Sequence, residues 1–114
     1  MMIMVEALIR PQKVHDVKQA LLEIGVKGWT LTEVRGSGNQ KGFTHHYRGA
    51  EYNVNLLQRI KIEVVVLERE ARVVADAIIA SAFTGEVGDG KVFLIPVSTA
   101  IRIRTGEDGR DAVE

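Results

Sequence analysis

The chain contains no cysteine among its 114 residues. This absence excludes a disulfide framework, a zinc–thiolate site and a catalytic thiol, and it fits a reducing compartment. Lysine plus arginine equals aspartate plus glutamate, at 15 each, so the formal net charge is zero. Because non-specific binding to nucleic acid needs a strong positive field, we expect no nucleic-acid partner.

Long apolar runs are also missing. Residues 1–5 are apolar, but Glu6 and Arg10 follow them, so we expect no signal peptide, no membrane-spanning segment and a cytoplasmic location. Hydrophobic residues make up 46% of the chain, which is enough for a small core in a single domain of residues 1–114. A small core leaves oligomerisation as a further source of stability.

Six segments have a regular hydrophobic period. Alternating apolar residues predict strands, and apolar residues spaced three and four apart predict helices with one buried stripe. The predicted strands are 2–10, 29–34, 59–67 and 91–96, and the predicted helices are 11–24 and 68–82. The order β-α-β-β-α-β is that of a ferredoxin-like α+β fold, an antiparallel sheet with two helices on one face.

The remaining segments are predicted to be less regular. Residues 100–104 form a short extended segment, and the polar tail 106–114 is expected to fray. The sheet face without helices is predicted to carry Glu6, Lys61, Glu63 and Val65. This partly apolar open face suits packing against other subunits.

Residues 36–55 show no sustained period and are rich in glycine and polar residues. A loop of about twenty residues is uncommon in a compact domain and is usually functional or disordered. Its first residues can form an anion nest, and Gln40 offers a carbonyl oxygen suited to Mg²⁺; a flexible stem is the alternative. Further out, Tyr47 and Tyr52 are poor core candidates, and Tyr52 is a candidate for partner contact or for modification of its hydroxyl.

A second glycine-rich segment, residues 84–91, matches the G-x-x-x-x-G-K part of a Walker A motif. It is followed by Val92 instead of the Ser or Thr that would hold Mg²⁺, and it leaves a helix and enters a strand, so a P-loop NTPase is rejected. Its glycines still let backbone N–H groups approach an anion, with the charge of Lys91 beside them. A helix-to-strand turn with a solvated lysine is the alternative.

Arg102 and Arg104 are predicted to lie on the same face of an extended segment. That spacing suits two oxygens of a polyphosphate, and ordinary surface arginines are the alternative. Trp29 is expected to pack either in the subunit core or beside a ligand. The sequence contains no Ser-His-Asp, Cys-His or paired-carboxylate arrangement that nominates an active site.

Taken in order, these segments resemble the PII signal-transduction family over residues 3–105. The motifs are A-L-I-R-P at 7–11, G-W-T at 28–30, Q-K-G at 40–42, Y-R-G-A-E-Y at 47–52, T-G-E-V-G-D-G-K at 84–91 and R-I-R-T-G at 102–106. The resemblance implies a homotrimer with nucleotide sites between subunits. ATP and ADP compete there, and 2-oxoglutarate joins with Mg-ATP.

The resemblance also implies roles for three loops: a mobile loop at 37–55, a phosphate loop at 84–91 and a C-terminal loop at 101–106. Nucleotide binding is assigned to Thr30, Gly36, Gly38, Asn39, Gln40, Glu63, Val65, Gly88, Asp89, Gly90, Lys91, Arg102 and Arg104. Within that set the phosphate loop belongs to one subunit and the two C-terminal arginines to its neighbour, and Thr30, Glu63 and Val65 are implied to lie near the adenosine. Binding of 2-oxoglutarate is assigned to Arg10, Gln40, Lys41, Gly42 and Arg59, and Gln40 also holds the Mg²⁺.

The mobile loop is implied to dock on an ammonium transporter or a nitrogen-metabolism enzyme, with recruitment to the membrane through the transporter. Tyr47 and Arg48 are assigned to partner contact. Tyr52 stands where some members carry a tyrosine modified by a nucleotidyltransferase. The sequence thus predicts a signal transducer and not an enzyme.

Other functional classes fit the same fold. One is an ATP/ADP energy-state sensor, or a trimeric interaction module, without a 2-oxoglutarate response. Asn39 and Arg59 favour it, because they stand where the family usually has Arg and Lys. The other is a small nucleotide hydrolase, against which no residue is placed as a water-activating base.

Overall fold

The computed structural model describes residues 1–36, 43–47, 50–54 and 57–113. Its strands are β1 (Met2–Ile9), β2 (Thr30–Gly36), β3 (Phe43–Tyr47), β4 (Ala50–Val54), β5 (Leu57–Leu67) and β6 (Lys91–Val97). Its helices are α1 (Val14–Glu23), α2 (Glu68–Ala82) and the short α3 (Arg110–Val113), and a 3-10 turn (Pro11–Lys13) precedes α1.

Four strands form one antiparallel sheet in the order β2-β5-β1-β6. The two central strands, β1 and β5, pair along their length, from Met2 opposite Leu67 to Ile9 opposite Ile60. The hairpin β3–β4 is not part of this sheet, so the strands of the sheet follow the chain in the order β1, β2, β5 and β6. The first and third of these four, β1 and β5, lie side by side in the centre, which is the ferredoxin-like arrangement. The predicted fold class is confirmed.

The core lies between one face of this sheet and the two long helices. Alternate residues of β1 and β5 point to that face, and Val5, Ala7 and Ile62 are fully buried there. Leu21 of α1 and Ile78 of α2 are equally buried and meet them from the helix layer. Burial of this apolar surface is the main force that holds the layers together.

Helix α1 ends at Glu23, one residue before the predicted limit of 24, and the chain turns at Gly25. The Gly25 N–H donates to the Leu22 carbonyl at 3.0 Å, and the Val26 N–H donates to the Leu21 carbonyl at 3.0 Å. Gly25 has φ 85°, the left-handed conformation that this Schellman-type helix end requires. The turn returns the chain towards β2.

The prediction of an irregular segment over 36–55 is wrong for part of that range. Strands β3 and β4 form a two-stranded antiparallel hairpin, in which Tyr47 pairs with Ala50 and His45 pairs with Tyr52. Strand β3 has three polar residues in succession, at 44–46, and both strands are five residues long and flanked by glycine and polar residues. The sequence therefore has no sustained apolar period to reveal them. Residues 37–42, 48, 49 and 55 lie outside the described residues.

Two predictions for the C-terminal region, the extended segment over 100–104 and the frayed tail, are also wrong. Residues 103–105 form a turn, closed by N–H bonds from Gly106 to the Arg102 carbonyl and from Arg102 to the Glu107 carbonyl, each 2.8 Å long. Ile101 bridges to Asp108, and the supposedly frayed tail continues into α3. Gly106, at φ 75°, permits the chain to reverse direction here. A hydrophobic pattern in the sequence does not predict such a reversal. Arg102 and Arg104 therefore belong to a turn and do not share one face of a strand.

None of the helices in the described part of the chain is long and apolar enough to cross a membrane.

Two neighbouring isoleucines of α2 test the assignment of the core. Ile78 is 0% exposed and Ile79 is 45% exposed. We expect Ile78→Ala to lower the free energy of unfolding by about 2–5 kcal/mol, because it leaves a cavity between helix and sheet. Ile79→Ala is the matched control and should cost less than about 1 kcal/mol. Urea unfolding measures both, and equal losses would contradict the assignment.

Candidate functional site

The glycine loop (residues 84–91) leads from α2 into β6, as predicted. Gly85, Gly88 and Gly90 have φ values of 89°, 100° and 104°. Other L-residues rarely adopt this left-handed region, so the loop's path depends on glycine at these positions. The resulting backbone is one in which successive N–H groups can turn towards a common anion.

Gly90 is constrained further by a close approach of two backbones. A Cβ atom at this position would lie 2.8 Å from the carbonyl carbon of Leu8 and closer still to its oxygen. Strand β6 begins immediately afterwards, with Lys91 paired to Leu8. The end of the loop is therefore pressed against β1, and Lys91 is placed at a defined point of the sheet.

Asp89 organises the loop from inside. Its Oδ2 accepts the N–H groups of Thr84 at 2.8 Å and Gly85 at 2.9 Å, and its Oδ1 accepts the Thr84 hydroxyl. The Thr84 hydroxyl oxygen in turn accepts the Glu86 N–H at 3.1 Å. The bonds from Thr84, first from its hydroxyl and then from its amide, hold the pKa of Asp89 well below its ordinary value. The carboxylate is thus occupied within the loop.

Arg10 joins the same loop to the end of β1. Its Nε donates to Asp89 Oδ1 at 3.1 Å, and one of its terminal nitrogens donates to the Val87 carbonyl at 2.8 Å. These partners lie 79 and 77 residues away along the chain. Such a contact leaves no local pattern in a sequence, so the sequence does not predict it.

Arg59 stands across from Arg10. The β1–β5 ladder ends with Ile9 opposite Ile60, so its next step places Arg10 opposite Arg59. Burial and then the positive charge of Arg10 lower the pKa of Arg59, and its guanidinium donates to the Gln58 carbonyl at 2.9 Å. The structure therefore brings together two of the residues predicted to bind 2-oxoglutarate, which we call the arginine pair.

A groove of about 420 Å³ lies on the open face of the sheet and brings together the three residues predicted to contact adenosine. Thr30 and Glu63 are register partners, and Val65 lies two residues further along β5. The groove is lined by Met4, Gly28, Trp29, Thr30, Glu63, Val65, Ala100, Ala112 and Val113. We call it the open-face groove.

The Trp29 side chain packs against the core cluster, which is the first of its two predicted positions, and it also lines this groove. The sequence did not predict that Ala112 and Val113 line the groove, because the C-terminal tail was expected to fray. Arg102 lies at the same end of the molecule, where its guanidinium donates to the Asp111 carbonyl at 3.0 Å. Arg104 is exposed in the adjoining turn.

The glycine loop and the open-face groove lie at different levels of the sheet. Lys91 is level with Leu8, whereas the groove is level with Met4, whose partner is Ile95. Four residues along a strand span roughly 13 Å. Among the described residues of one chain, none of the glycine loop lines the open-face groove.

Several predicted site residues are not placed. Gly38, Asn39, Gln40, Lys41, Gly42 and Arg48 lie outside the described residues. Gly36 ends β2, opposite Leu57, and Tyr47 and Tyr52 belong to the hairpin. Within the described ranges, no cluster of three or more His, Asp or Glu residues could hold a metal ion.

Comparison with known proteins gives consistent matches. The family model described as "Nitrogen regulatory protein P-II" matches residues 2–107, a range that stops before α3. The proteins of that name from Nostoc punctiforme and Haemophilus influenzae are 55% and 52% identical to this chain over 109 residues. Each match covers 96% of this chain and 97% of the relative.

A solved structure is also similar. It is the crystal structure of Arabidopsis thaliana PII bound to citrate, which matches with a TM-score of 0.80 and 40% sequence identity. The match covers 97% of this chain and 91% of that one. The likeness thus extends from the sequence to the arrangement of the sheet and helices.

Two glycines of the loop test whether its shape depends on contact with β1. Gly90→Ala should lower the free energy of unfolding by about 3 kcal/mol or more, because it adds both left-handed strain and overlap with the Leu8 backbone. Gly85→Ala is the matched control. It has similar strain, but its Cβ would meet only the Phe83 ring, at 3.5 Å, so a loss of about 1 kcal/mol is expected. Chemical denaturation compares them, and a Gly90 variant as stable as the Gly85 variant would refute the contact.

Proposed function

This chain belongs to the P-II family of nitrogen regulatory proteins, and from that membership we propose that it senses ATP and ADP together with 2-oxoglutarate. Members of the family are regulatory signal transducers and not enzymes. The effectors and the target are the proposed part. The glycine loop, the arginine pair and the open-face groove support them.

The observation that carries the proposal is the separation of the two predicted half-sites within one chain. The glycine loop offers N–H groups and Lys91 for phosphates, whereas the open-face groove offers Thr30, Glu63 and Val65 for adenosine. A second copy is needed to bring a loop to a groove. We therefore propose a homotrimer with nucleotide sites between subunits, in which Gly88, Asp89 and Gly90 bind through their backbone.

Charge supports phosphate binding at that junction. Arg102 is held beside the groove by the Asp111 carbonyl, and Arg104 is exposed in the same turn. A neighbouring subunit's loop would add Lys91. Guanidinium and ammonium groups around glycine amides form a recurrent phosphate-binding combination. In this proposal Gly36, Gly38, Asn39 and Gln40 complete the phosphate site, and Gln40 binds the Mg²⁺ that accompanies ATP.

The arginine pair supports a carboxylate effector. Two guanidinium groups at the end of the β1–β5 ladder suit an oxoacid with two carboxylates. The Arabidopsis relative is described as bound to citrate, which is also a polycarboxylate. We propose that 2-oxoglutarate binds at Arg10 and Arg59 together with Gln40, Lys41 and Gly42.

Ligand binding can reach a target through residues 37–55. This segment leaves β2 and returns to β5 two residues before Arg59, so a ligand at the arginine pair lies at its base. A ligand shifts such a segment only by its differential affinity for two conformations. We propose that this segment docks on an ammonium transporter or a nitrogen-metabolism enzyme through Tyr47, Arg48 and Tyr52. The protein would be cytoplasmic and recruited to the membrane by the transporter, and Tyr52 would be the substrate of a nucleotidyltransferase.

Calorimetric titration with ATP, with ADP, and with 2-oxoglutarate in the presence of Mg-ATP tests the proposal. Binding of both nucleotides, with 2-oxoglutarate binding only when Mg-ATP is present, is the expected result. Nucleotide binding alone would identify an energy-state sensor. If nucleotides neither bind nor raise the thermal stability, the chain is a trimeric interaction module.

Lys91→Gln should weaken ATP binding about tenfold or more, because a charged hydrogen bond to phosphate is lost. Lys18→Gln on α1 removes the same charge at a distance from the site and is the control. Calorimetry on both variants gives the comparison. Equal affinities would remove Lys91 from the phosphate site.

The trimer has its own test on the open face. Phe93 pairs with Glu6 and is 42% exposed in the single chain. Phe93→Asp should dissociate the trimer to monomer in sedimentation velocity, because a buried unpaired carboxylate is costly. Leu22→Asp, at a side chain 55% exposed on the helix layer, should leave the assembly intact. A Phe93 variant that sediments as a trimer would show that this face is not the interface.

A further inference from the structure

Arg10 contacts the glycine loop and also faces Arg59 across the end of the β1–β5 ladder. Within the described part of the chain, its hydrogen-bond partners include the Asp89 carboxylate and the Val87 carbonyl, both in the loop. A guanidinium in this position cannot turn fully towards an anion at Arg59 without giving up these contacts. The loop and the arginine pair therefore compete for one side chain.

Asp89 is held in place without Arg10. Three hydrogen bonds from Thr84 and Gly85 fix its carboxylate within the loop. Its negative charge would remain there if Arg10 moved away. Among the two partners of the ion pair, Asp89 is thus the fixed one and Arg10 is the one that can respond to a ligand.

We propose that Asp89 is a positioning residue that couples the two ligand sites. It holds the glycine loop in the shape that presents its N–H groups, and it holds Arg10 back from an anion bound at Arg59. The inference rests on the proposed function, since it concerns the same nucleotide and oxoacid sites. It assigns to the Asp89 carboxylate opposite effects on the two ligands.

Asp89→Asn tests this through those opposite effects. Nucleotide affinity should fall about tenfold, because an amide cannot accept all the hydrogen bonds that the carboxylate accepts. Affinity for 2-oxoglutarate, measured at saturating Mg-ATP, should rise about two- to fivefold, because Arg10 is released from an ion pair of ordinary strength. Calorimetry measures both constants on the folded protein, whose secondary structure is checked by circular dichroism.

Three further variants separate the causes. Glu86→Gln removes one negative charge from the same loop but none of the hydrogen bonds of Asp89, so the affinity for 2-oxoglutarate should stay unchanged. Thr84→Val removes the hydroxyl partner and leaves the Asp89 charge, so nucleotide affinity should fall while 2-oxoglutarate affinity stays constant. In an Arg10→Gln background, Asp89→Asn should no longer strengthen 2-oxoglutarate binding.

The outcomes distinguish this inference from the proposed function. If the unaltered protein binds both ligands and Asp89→Asn weakens both, Asp89 is merely structural and only the coupling is refuted. An equal gain in 2-oxoglutarate affinity in Glu86→Gln would attribute the effect to general charge and also refute it. If the unaltered protein binds no nucleotide, the proposed function itself fails.

Discussion

The pairing of β1 with β5 is the constraint on which the rest of the structure depends. One register, from Met2 opposite Leu67 to Ile9 opposite Ile60, points the buried residues of both strands at the helices. The same register sets Arg10 opposite Arg59 just beyond the last pair. A shift by one residue would turn every buried side chain to the open face, so hydrophobic burial fixes the position of two cations that have no part in the core.

Hydrophobic burial sets the register of the sheet, and polar contacts set the conformation of the glycine loop. The Asp89 carboxylate joins Thr84 and Gly85 at one end of the loop to Arg10 on another element. A backbone with three left-handed glycines has many conformations in the unfolded chain, and these bonds select one. The family resemblance assigned Asp89 to the nucleotide, and the contacts of its carboxylate show a role inside the protein as well.

The sequence predicted those strands and helices whose buried face gives a regular spacing of apolar residues. Strands β1 and β5 and helix α2 have long, regular apolar spacings, and their positions were predicted to within about two residues, which is the usual uncertainty of element boundaries. The hairpin β3–β4 and the segment around Ile101 and Asp108 were missed, because polar residues and positive-φ glycines define them. Thr30, Glu63 and Val65 were assigned together through the family resemblance. The Arg10–Asp89 contact could not be predicted, since it depends on how β6 is placed against β1.

The contact between Gly90 and Leu8 also bears on the order of folding. Residues at opposite ends of the chain must meet before the glycine loop can take its final path, and contacts so distant in sequence are slow to form. The glycine loop would then be among the last parts of the molecule to reach its native conformation. A nascent chain still on the ribosome could not carry a finished loop until β6 had been synthesised and had joined the sheet. Effector recognition would thus begin only with the completed domain.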